Sequence, residues 1–271
     1  MKFGVHSLMT DEGVRPDRLA KALEERGFDA MFVPEHTHIP VHSVVEFPQG
    51  GPPPRSLLRI YDPFVALSMA AAVTEKLLLG TGIAILPQRD VFQTAKEAAS
   101  LDRLSGGRFL FGVGAGWHTD EMRDHGVDPR TRGARLTEQL AALKEIWTED
   151  EAEFHGGHID FAPVYSWPKP LRTPPIYHGG EGPRVLARVR TYGDVWMPTA
   201  VADPADVPAQ LAAADGVPVS VYNVPGDDER LIDAYVEAGV ERLTLFLDEL
   251  PEDRILTRLD NLTKLIGRYP D

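Results

Sequence analysis

The chain repeats one pattern eight times, a short apolar run followed by an amphipathic stretch, and this repetition restricts the fold more than any other feature. Runs such as AMFV, FLFG and LTLFL are apolar without alternation, as parallel strands covered on both faces are. The amphipathic stretches often begin near proline and end near glycine, which is typical of helices. Eight such units in 271 residues predict a (β/α)8 barrel, a single domain over residues 1–271, with a doubly wound open sheet as the alternative.

The bounds of the predicted elements follow from the apolar runs and from proline and glycine. The predicted strands are Lys2–Leu8, Ala30–Glu35, Leu77–Ala84, Arg108–Ala115, Pro175–Gly179, Val195–Thr199, Val217–Asn223 and Arg242–Leu247. The predicted helices are Pro16–Arg26, Pro63–Thr74, Phe92–Leu104, Arg132–Trp147, Pro183–Tyr192, Asp206–Ala214, Asp228–Ala238 and Pro251–Arg268. In a barrel, side chains that follow the strands share one face and form the pocket there.

Two longer segments interrupt this rhythm as insertions after strand 2 and before strand 5. Residues 36–59 are rich in proline and glycine, and they lie on the face that carries the chemistry of barrels. Residues 149–173 start at the opposite face and can hold a short hairpin. We expect the first segment, and any part of the second that reaches the upper face, to shape the pocket.

Composition excludes several classes of partner. The 28 basic and 41 acidic residues give a formal net charge of −13, which argues against nucleic acid and anionic membranes as partners. The chain has no cysteine, so disulfides, thiolate zinc sites and cysteine nucleophiles are excluded. No apolar run is long enough to span a membrane and the first residues do not resemble a signal peptide, so a cytoplasmic protein is expected.

Glycine interrupts the ends of two successive predicted strands. The strand over Leu77–Ala84 breaks at Gly82, and the next strand ends in the glycine-rich run Gly112–Trp117. Glycine at a strand end lets the backbone approach a ligand closely or adopt dihedral angles that other residues avoid. The spacing G-x-G-x-G fails to match the dinucleotide-binding fingerprint. The two strand ends therefore predict one large, flat ligand lying across the top of the sheet.

A carboxylate and two histidines, Glu35, His36 and His38, cluster after the second strand. They are candidates for metal ligands, for acid–base groups, or for groups that stabilise charge on a cofactor. A metal site needs at least three converging ligands, and the spacing supplies two. We therefore predict no metal, and a metal-dependent barrel hydrolase is the weaker alternative.

The segment Gly179–Arg184 is a candidate anion site. A strand runs into a glycine turn, and Pro183 is placed to open the next helix. Free backbone N–H groups and the helix dipole would then face a phosphate group. A tight strand-to-helix turn that needs positive φ is the alternative explanation.

The block Ala95–Met122 resembles the luciferase-like monooxygenase superfamily, in particular its coenzyme F420-dependent oxidoreductases from actinobacteria. The segments PEHTHIP, LGTGI and PPIYHGGEGPRVLARVRTYGDVWMP extend this resemblance to about three-quarters of the chain. The resemblance implies a (β/α)8 barrel that holds a flavin-like ring at the carboxyl ends of its strands.

The resemblance also implies which residues form the site. In relatives a non-proline cis peptide backs the ring, and the matching bond here is Gly82–Ile83. The acid–histidine pair of relatives matches Glu35 and His36, near the reactive edge of the ring. The other expected cofactor-binding residues lie in the loop after strand 4 and in the phosphate-binding turn: Gly114, Ala115, Gly116, Trp117, Gly179, Gly180 and Gly182.

The function that the resemblance implies is hydride transfer between the deazaflavin coenzyme F420 and an unidentified small organic substrate. An FMN-dependent monooxygenase is the alternative. We expect His36, oriented by Glu35, to exchange a proton with the substrate or to stabilise the reduced ring. Some sugar dehydrogenases of the superfamily carry glutamate where this chain has Trp117, which favours a less polar substrate. A homodimer is expected from the family.

Overall fold

Parallel strands surround an interior of inward-facing side chains, and helices cover the outside of the barrel. The computed structural model describes residues 1–47, 50–248 and 250–269. Its strands are β1 (Lys2–Ser7), β2 (Ala30–Val33), β3 (Leu78–Thr81), β4 (Ala84–Ile85), β5 (Phe109–Gly114), β6 (Ala152–His155), β7 (Asp160–Val164), β8 (Ile176–Gly179), β9 (Val195–Met197), β10 (Ser220–Pro225) and β11 (Arg242–Leu247). Its helices are α1 (Pro16–Glu25), α2 (Pro63–Ala71), α3 (Val91–Leu104), α4 (Thr119–Asp124), α5 (Arg132–Thr148), α6 (Pro183–Tyr192), α7 (Val207–Ala212), α8 (Glu229–Glu237) and α9 (Glu252–Ile266).

The barrel strands follow the order β10-β11-β1-β2-β3-β5-β8-β9, and each neighbouring pair is parallel. β9 and β10 meet through two isolated parallel bridges, Trp196 with Val219 and Thr199 with Tyr222, so the barrel is nearly closed. The predicted (β/α)8 barrel with its two insertions is therefore confirmed, and the open sheet is wrong.

The third strand position is split in two. The sequence predicts one strand over Leu77–Ala84, whereas β3 pairs with β2 and β5, and β4 pairs with β5 beyond a break. The break falls at Gly82 and Ile83, and the peptide bond between them is cis, as the resemblance implies. Both residues lie at the carboxyl end of the barrel, where the cavity opens.

Capping side chains explain where several helices begin. Asp62, Asp90 and Asp228 each accept the backbone N–H three residues ahead, at 3.0, 2.9 and 3.0 Å, and so cap α2, α3 and α8. All the predicted helices are present with small changes at their ends, and the short α4 is an additional helix that the sequence reasoning missed. Among the described residues, no helix combines the length and apolarity needed to cross a membrane.

The second insertion forms the hairpin of β6 and β7 that its sequence allows. It lies against α3 and α5, where the Leu171 N–H donates to Asp102 and Lys169 Nζ donates to the Ile146 carbonyl, at 2.8 and 2.7 Å. No residue of 149–173 lines the cavity described below. Of the described residues in the two insertions, therefore, those that line the pocket all belong to 36–47 and 50–59.

Inside the barrel, two glycines in or next to β3 lie against large aromatic side chains. A Cβ added at Gly80 would overlap the ring of Phe32, and one at Gly82 would lie 2.7 Å from the ring of Tyr222. Phe32 lies on the neighbouring strand β2 directly beside Gly80, whereas Tyr222 comes from β10 and reaches across the interior to Gly82. Close packing of this kind leaves no room for a side chain at either glycine.

Candidate functional site

A cavity of about 830 Å³ opens at the carboxyl ends of the barrel strands. Most residues that the sequence predicts for the site line it: Glu35, His36, Gly82, Ile83, Gly114, Ala115, Gly116, Trp117, Gly179 and Gly180. Gly182 does not line it and instead directly precedes α6, with a φ of 92°. The first insertion contributes further wall residues, namely Phe47, Pro54, Ser56 and Leu57.

His36 is held by a buried carboxylate from α4. Its Nδ1 lies 2.7 Å from Oε2 of Glu121, and Oε1 of that carboxylate accepts the Thr37 N–H at 2.8 Å. Burial opposes ionisation of Glu121, but the hydrogen bonds from His36 and Thr37 outweigh it, so the pKa of this carboxyl lies below its ordinary value. An ionised Glu121 places the proton of a neutral His36 on Nδ1 and leaves Nε2 as the basic nitrogen.

Glu35 does not orient His36, and this expectation from the sequence is wrong. The Glu35 carboxylate accepts the Ile85 N–H at 2.6 Å and pairs with the guanidinium of Arg89. Arg89 in turn pairs with Glu97. Glu35 and His36 are adjacent in the chain but have different partners. Glu35 therefore anchors the backbone around β4 to the end of β2.

Ile83 lies in a socket made by two of the predicted glycines. A Cβ at Gly114 would lie 2.8 Å from Ile83 Cδ1, and one at Gly179 would lie 2.8 Å from Ile83 Cγ2. Carbon atoms in contact normally stay about 3.5–4.0 Å apart, so a larger residue at either position would displace Ile83. The Tyr222 hydroxyl donates to the carbonyl oxygen of Gly82 and holds this segment from below. Both glycines make room for the Ile83 side chain, which lines the cavity together with them, and the predicted contact of Gly114 and Gly179 with a cofactor stays a prediction.

Aromatic side chains form the wall beside His36. Trp117 meets His36 nearly edge to face, with ring centroids 5.4 Å apart. Phe47, from the first insertion, meets Trp117 in the same way with centroids 5.7 Å apart. Edge-to-face contacts of this kind stabilise aromatic clusters. They place an apolar surface next to the imidazole, in keeping with the less polar substrate expected from Trp117.

Two arginines line the cavity on the side of α5 and α6. Arg132 begins α5, and Arg188 on α6 donates from Nε to Thr137 Oγ1 at 3.1 Å. Gly180, with a φ of 103°, lies in the turn that leads to the amino end of α6. Guanidinium groups and a helix amino terminus both favour an anion. In a chain with a net charge of −13, this end of the cavity is a local basic exception.

Comparison with known proteins identifies the family. The family model described as luciferase-like monooxygenase matches residues 9–217. The chain belongs to this family. An uncharacterized protein from Mycobacterium tuberculosis is 37% identical to this luciferase-like chain over 230 residues, which cover 80% of this chain and 82% of the relative.

Two solved structures share the fold of this luciferase-like protein. An F420-dependent secondary alcohol dehydrogenase, in complex with an F420–acetone adduct, has a TM-score of 0.77 at 19% identity, covering 100% of this chain and 99% of that one. The monooxygenase RslO1 from Streptomyces bottropensis has a TM-score of 0.79 at 20% identity, with both chains covered completely. At such identities the likeness concerns the fold, and function has to be argued from the site.

The luciferase-like site also contains side chains that the sequence reasoning missed, among them Glu121, Tyr222 and Arg188. Glu121 had a readable signal, since the run HTDEM places acidic residues where the first turn of a helix favours them. The His118 ring accepts the Glu121 N–H at 3.2 Å and so caps α4. Tyr222 and Arg188 had no local signal, because the residues they contact lie 140 and 51 positions away along the chain.

Within the described part of the luciferase-like chain, His38, Glu121 and His125 are grouped closely enough to suggest a metal, with ligand atoms all within 4.8 Å of one another. The Thr37 hydroxyl oxygen lies among them, 2.7 Å from His125 Nε2, 2.9 Å from His38 Nδ1 and 3.2 Å from Glu121 Oε1. Hydrogen bonds through Thr37 therefore account for this grouping. His36 is not a member of it.

Proposed function

We propose that this luciferase-like protein is an oxidoreductase that transfers a hydride between coenzyme F420 and an uncharged, largely apolar alcohol or carbonyl compound. The observation that carries the proposal is the pair of His36 and buried Glu121 beside an aromatic cavity wall. When bound, F420 supplies a carbon centre that accepts or donates a hydride. The likeness to an F420-dependent secondary alcohol dehydrogenase supports this choice.

His36 is the group that exchanges the proton in this proposal. As a hydride leaves the alcohol carbon, the hydroxyl proton passes to Nε2 of His36, and Glu121 stabilises the imidazolium that forms. In the reverse direction the imidazolium returns this proton to the carbonyl oxygen. Trp117 and Phe47 keep water away from the reacting groups, which strengthens the electrostatic interaction between His36 and Glu121.

The residues of the cavity suit a cofactor with a flat ring and an anionic tail. Ile83 offers an apolar surface for the ring, and Arg132, Arg188 and the backbone of Gly179–Gly182 offer groups for an anion. The buried Nε2 of His178 has no hydrogen-bond partner among the residues that the structure describes, so a polar group of the ligand can pair with it. F420 carries a phosphodiester and a glutamyl tail, and FMN ends in a phosphate, so the two arginines suit the anionic part of either cofactor.

An FMN-dependent monooxygenase is the second candidate, and the likeness to RslO1 favours it. Titrating the purified apoprotein separately with F420 and with FMN, followed by fluorescence quenching, distinguishes the two. We expect saturable binding of F420 at lower concentrations than FMN. Tighter binding of FMN would contradict the proposal and support the monooxygenase. Elemental analysis of the same sample tests the metal-dependent hydrolase, since stoichiometric zinc or manganese without F420 binding would support that alternative.

Turnover and assembly need separate measurements. A screen of secondary alcohols with F420, and of the matching ketones with reduced F420, identifies a substrate by the change in F420 absorbance. No turnover despite tight F420 binding would indicate a cofactor-binding protein instead of an enzyme. The homodimer expected from the family stays a prediction, for which the molar mass in solution should be twice that of the 29.9 kDa chain.

A further inference from the structure

His6 is a polar residue of the cavity wall that the proposed reaction does not use. It lies near the end of β1, is 7% exposed and contributes to the lining of the cavity. Among the described residues, neither ring nitrogen has a hydrogen bond of good geometry, although the side chain of Asn223 lies close enough to interact with the imidazole. Buried polar groups in proteins are almost always paired, and an unpaired one destabilises the fold. An unpaired imidazole in a cavity wall therefore points to a partner on the bound molecule.

The rings around His6 cannot supply that partner. Tyr222 stacks on the imidazole with ring centroids 4.3 Å apart, and Phe246 lies at 5.4 Å. The Tyr222 hydroxyl already donates to the Gly82 carbonyl, and phenylalanine has no polar atom. Burial lowers the pKa of His6 to about 3, against a smaller opposite effect of the Asn223 side chain. The imidazole is therefore neutral near pH 7 and offers one donor and one acceptor.

A β-bulge brings Asn223 to the same part of the wall. The register between β10 and β11 shifts between Val221 and Val224, and Asn223 has a φ of 61°. A positive φ is uncommon for residues other than glycine, and such positions cluster at functional sites. Bulges beside active sites redirect side chains. Here the bulge adds a second neutral polar residue to the cavity wall near His6.

We propose that His6, together with Asn223, binds an uncharged polar group of the molecule held in the cavity, such as a carbonyl, a hydroxyl or the amide edge of a ring. A bound anion is disfavoured, because burial penalises an unpaired charge and because Asp248 also lines the cavity. The groups suited to an anion, Arg132 and Arg188, come from α5 and α6 instead. The polar group belongs either to the cofactor ring or to the substrate, and the experiment distinguishes the two.

The experiment compares His6→Phe, which removes both nitrogens but keeps an aromatic ring, with His6→Gln, which keeps a donor and an acceptor. His155→Gln, on the exposed β6–β7 hairpin, is the matched control. Each protein is titrated with F420 alone, and then KM and kcat are measured with the alcohol found in the screen. We expect His6→Phe to weaken one of these interactions about tenfold, with partial recovery in His6→Gln and no change in the control.

The experiment gives different results for a polar group on the cofactor ring and for one on the substrate. A weaker F420 affinity in His6→Phe assigns the polar group to the cofactor ring, and a higher KM with unchanged F420 affinity assigns it to the substrate. Unchanged F420 affinity and unchanged KM in a folded His6→Phe protein would overturn the inference. If this variant does not fold, 15N NMR of histidine-labelled wild type decides, with the His6 signals assigned from His6→Gln. Addition of F420 or of the alcohol must then shift the His6 nitrogen signals, and signals that stay in place overturn the inference.

This inference rests on the proposed function for the identity of its ligands, but the two fail in different ways. Wild-type protein that binds FMN and not F420 contradicts the proposed function, and the same His6 titrations are then made with FMN. If the wild type binds F420, and His6→Phe has the same F420 affinity and the same KM as the wild type, only the role of His6 is contradicted.

Discussion

Two sides of the cavity are built on different principles. On the side of β3, β5 and β8, glycines leave room for Ile83 and for aromatic rings, and close contact between main chain and apolar side chains sets the geometry. On the side of β2 and α4, a hydrogen bond to a buried carboxylate holds His36. The glycine side can support a flat ring, and the histidine side can move a proton. Substitutions on the glycine side should therefore change stability, and those on the histidine side should change turnover.

Removing the imidazole is the strongest test of the histidine side. We expect His36→Ala to lower kcat by about 10²–10⁴-fold, which is the usual contribution of a positioned acid–base group, with F420 affinity nearly unchanged. Steady-state kinetics and F420 titration measure the two quantities. His38→Ala is the control, because it removes a nearby histidine that contacts Asp124 and Thr37. Equal turnover in His36→Ala and wild type would show that another group exchanges the proton.

A methyl group at Gly112 is the corresponding test of the glycine side. Its Cβ would overlap the carbonyl oxygen of Thr81, which belongs to the backbone of β3 and cannot move aside as a side chain can. We expect Gly112→Ala to lower the free energy of unfolding by about 3 kcal/mol, as measured by urea denaturation. In the control Gly157→Ala the nearest atom would be 3.5 Å from the added Cβ, so the change should stay below about 0.5 kcal/mol. A loss in Gly112→Ala as small as the control's would mean that β3 and β5 separate easily.

The glycine side could be predicted from sequence because the need for glycine is local. Wherever a side chain must press against main chain, glycine has to be present at that position, so Gly112–Trp117 marks the site without knowledge of its neighbours. The group that presses against it was not predictable in this way. Gly114 and Gly179 come from the strands β5 and β8, which are far apart in the sequence, and the parallel pairing of these strands with each other and with β4 brings both glycines against Ile83. That a cofactor also contacts these two glycines stays a prediction.

The histidine side could be predicted only in part, because its partners lie far apart in the chain. Glu121 follows His36 by 85 positions and sits on a helix of 6 residues, too short for helical periodicity to show. Glu35 was the obvious partner by adjacency, but its carboxylate is taken up by Arg89 and the Ile85 N–H, which lie 54 and 50 positions away along the chain. The barrel itself was predictable, because an unbroken apolar run already indicates a strand that is buried on both faces, and the chain has eight such runs.

The energetic coupling between substitutions at Gly114 and Ile83 tests whether glycine is required at position 114 because of its contact with the Ile83 side chain. Gly114→Ala places a methyl group 2.8 Å from Ile83 Cδ1, so it should destabilise the protein unless Ile83 is shortened. We expect the loss of unfolding free energy in the double variant Gly114→Ala/Ile83→Ala to be smaller, by about 1 kcal/mol, than the sum of the losses in the two single variants. Urea denaturation of the four proteins of this cycle measures the coupling. Strictly additive effects would show that the socket is not formed by this contact.

Acid denaturation gives the smallest expected effect and returns to the histidine side. The pKa of Glu121 lies below its ordinary value of 4.5, so its ionised form stabilises the fold above that pH, and this contribution disappears as the pH falls through the pKa of the folded state. The difference in unfolding free energy between wild type and Glu121→Gln should therefore be constant near neutral pH and shrink in acid. Glu237→Gln, which alters an exposed carboxylate on α8, is the control and should leave the pH dependence of wild type unchanged. A difference that instead grows in acid would mean that folding favours protonated Glu121, and a protonated Glu121 could not stabilise the His36 imidazolium that hydride transfer requires.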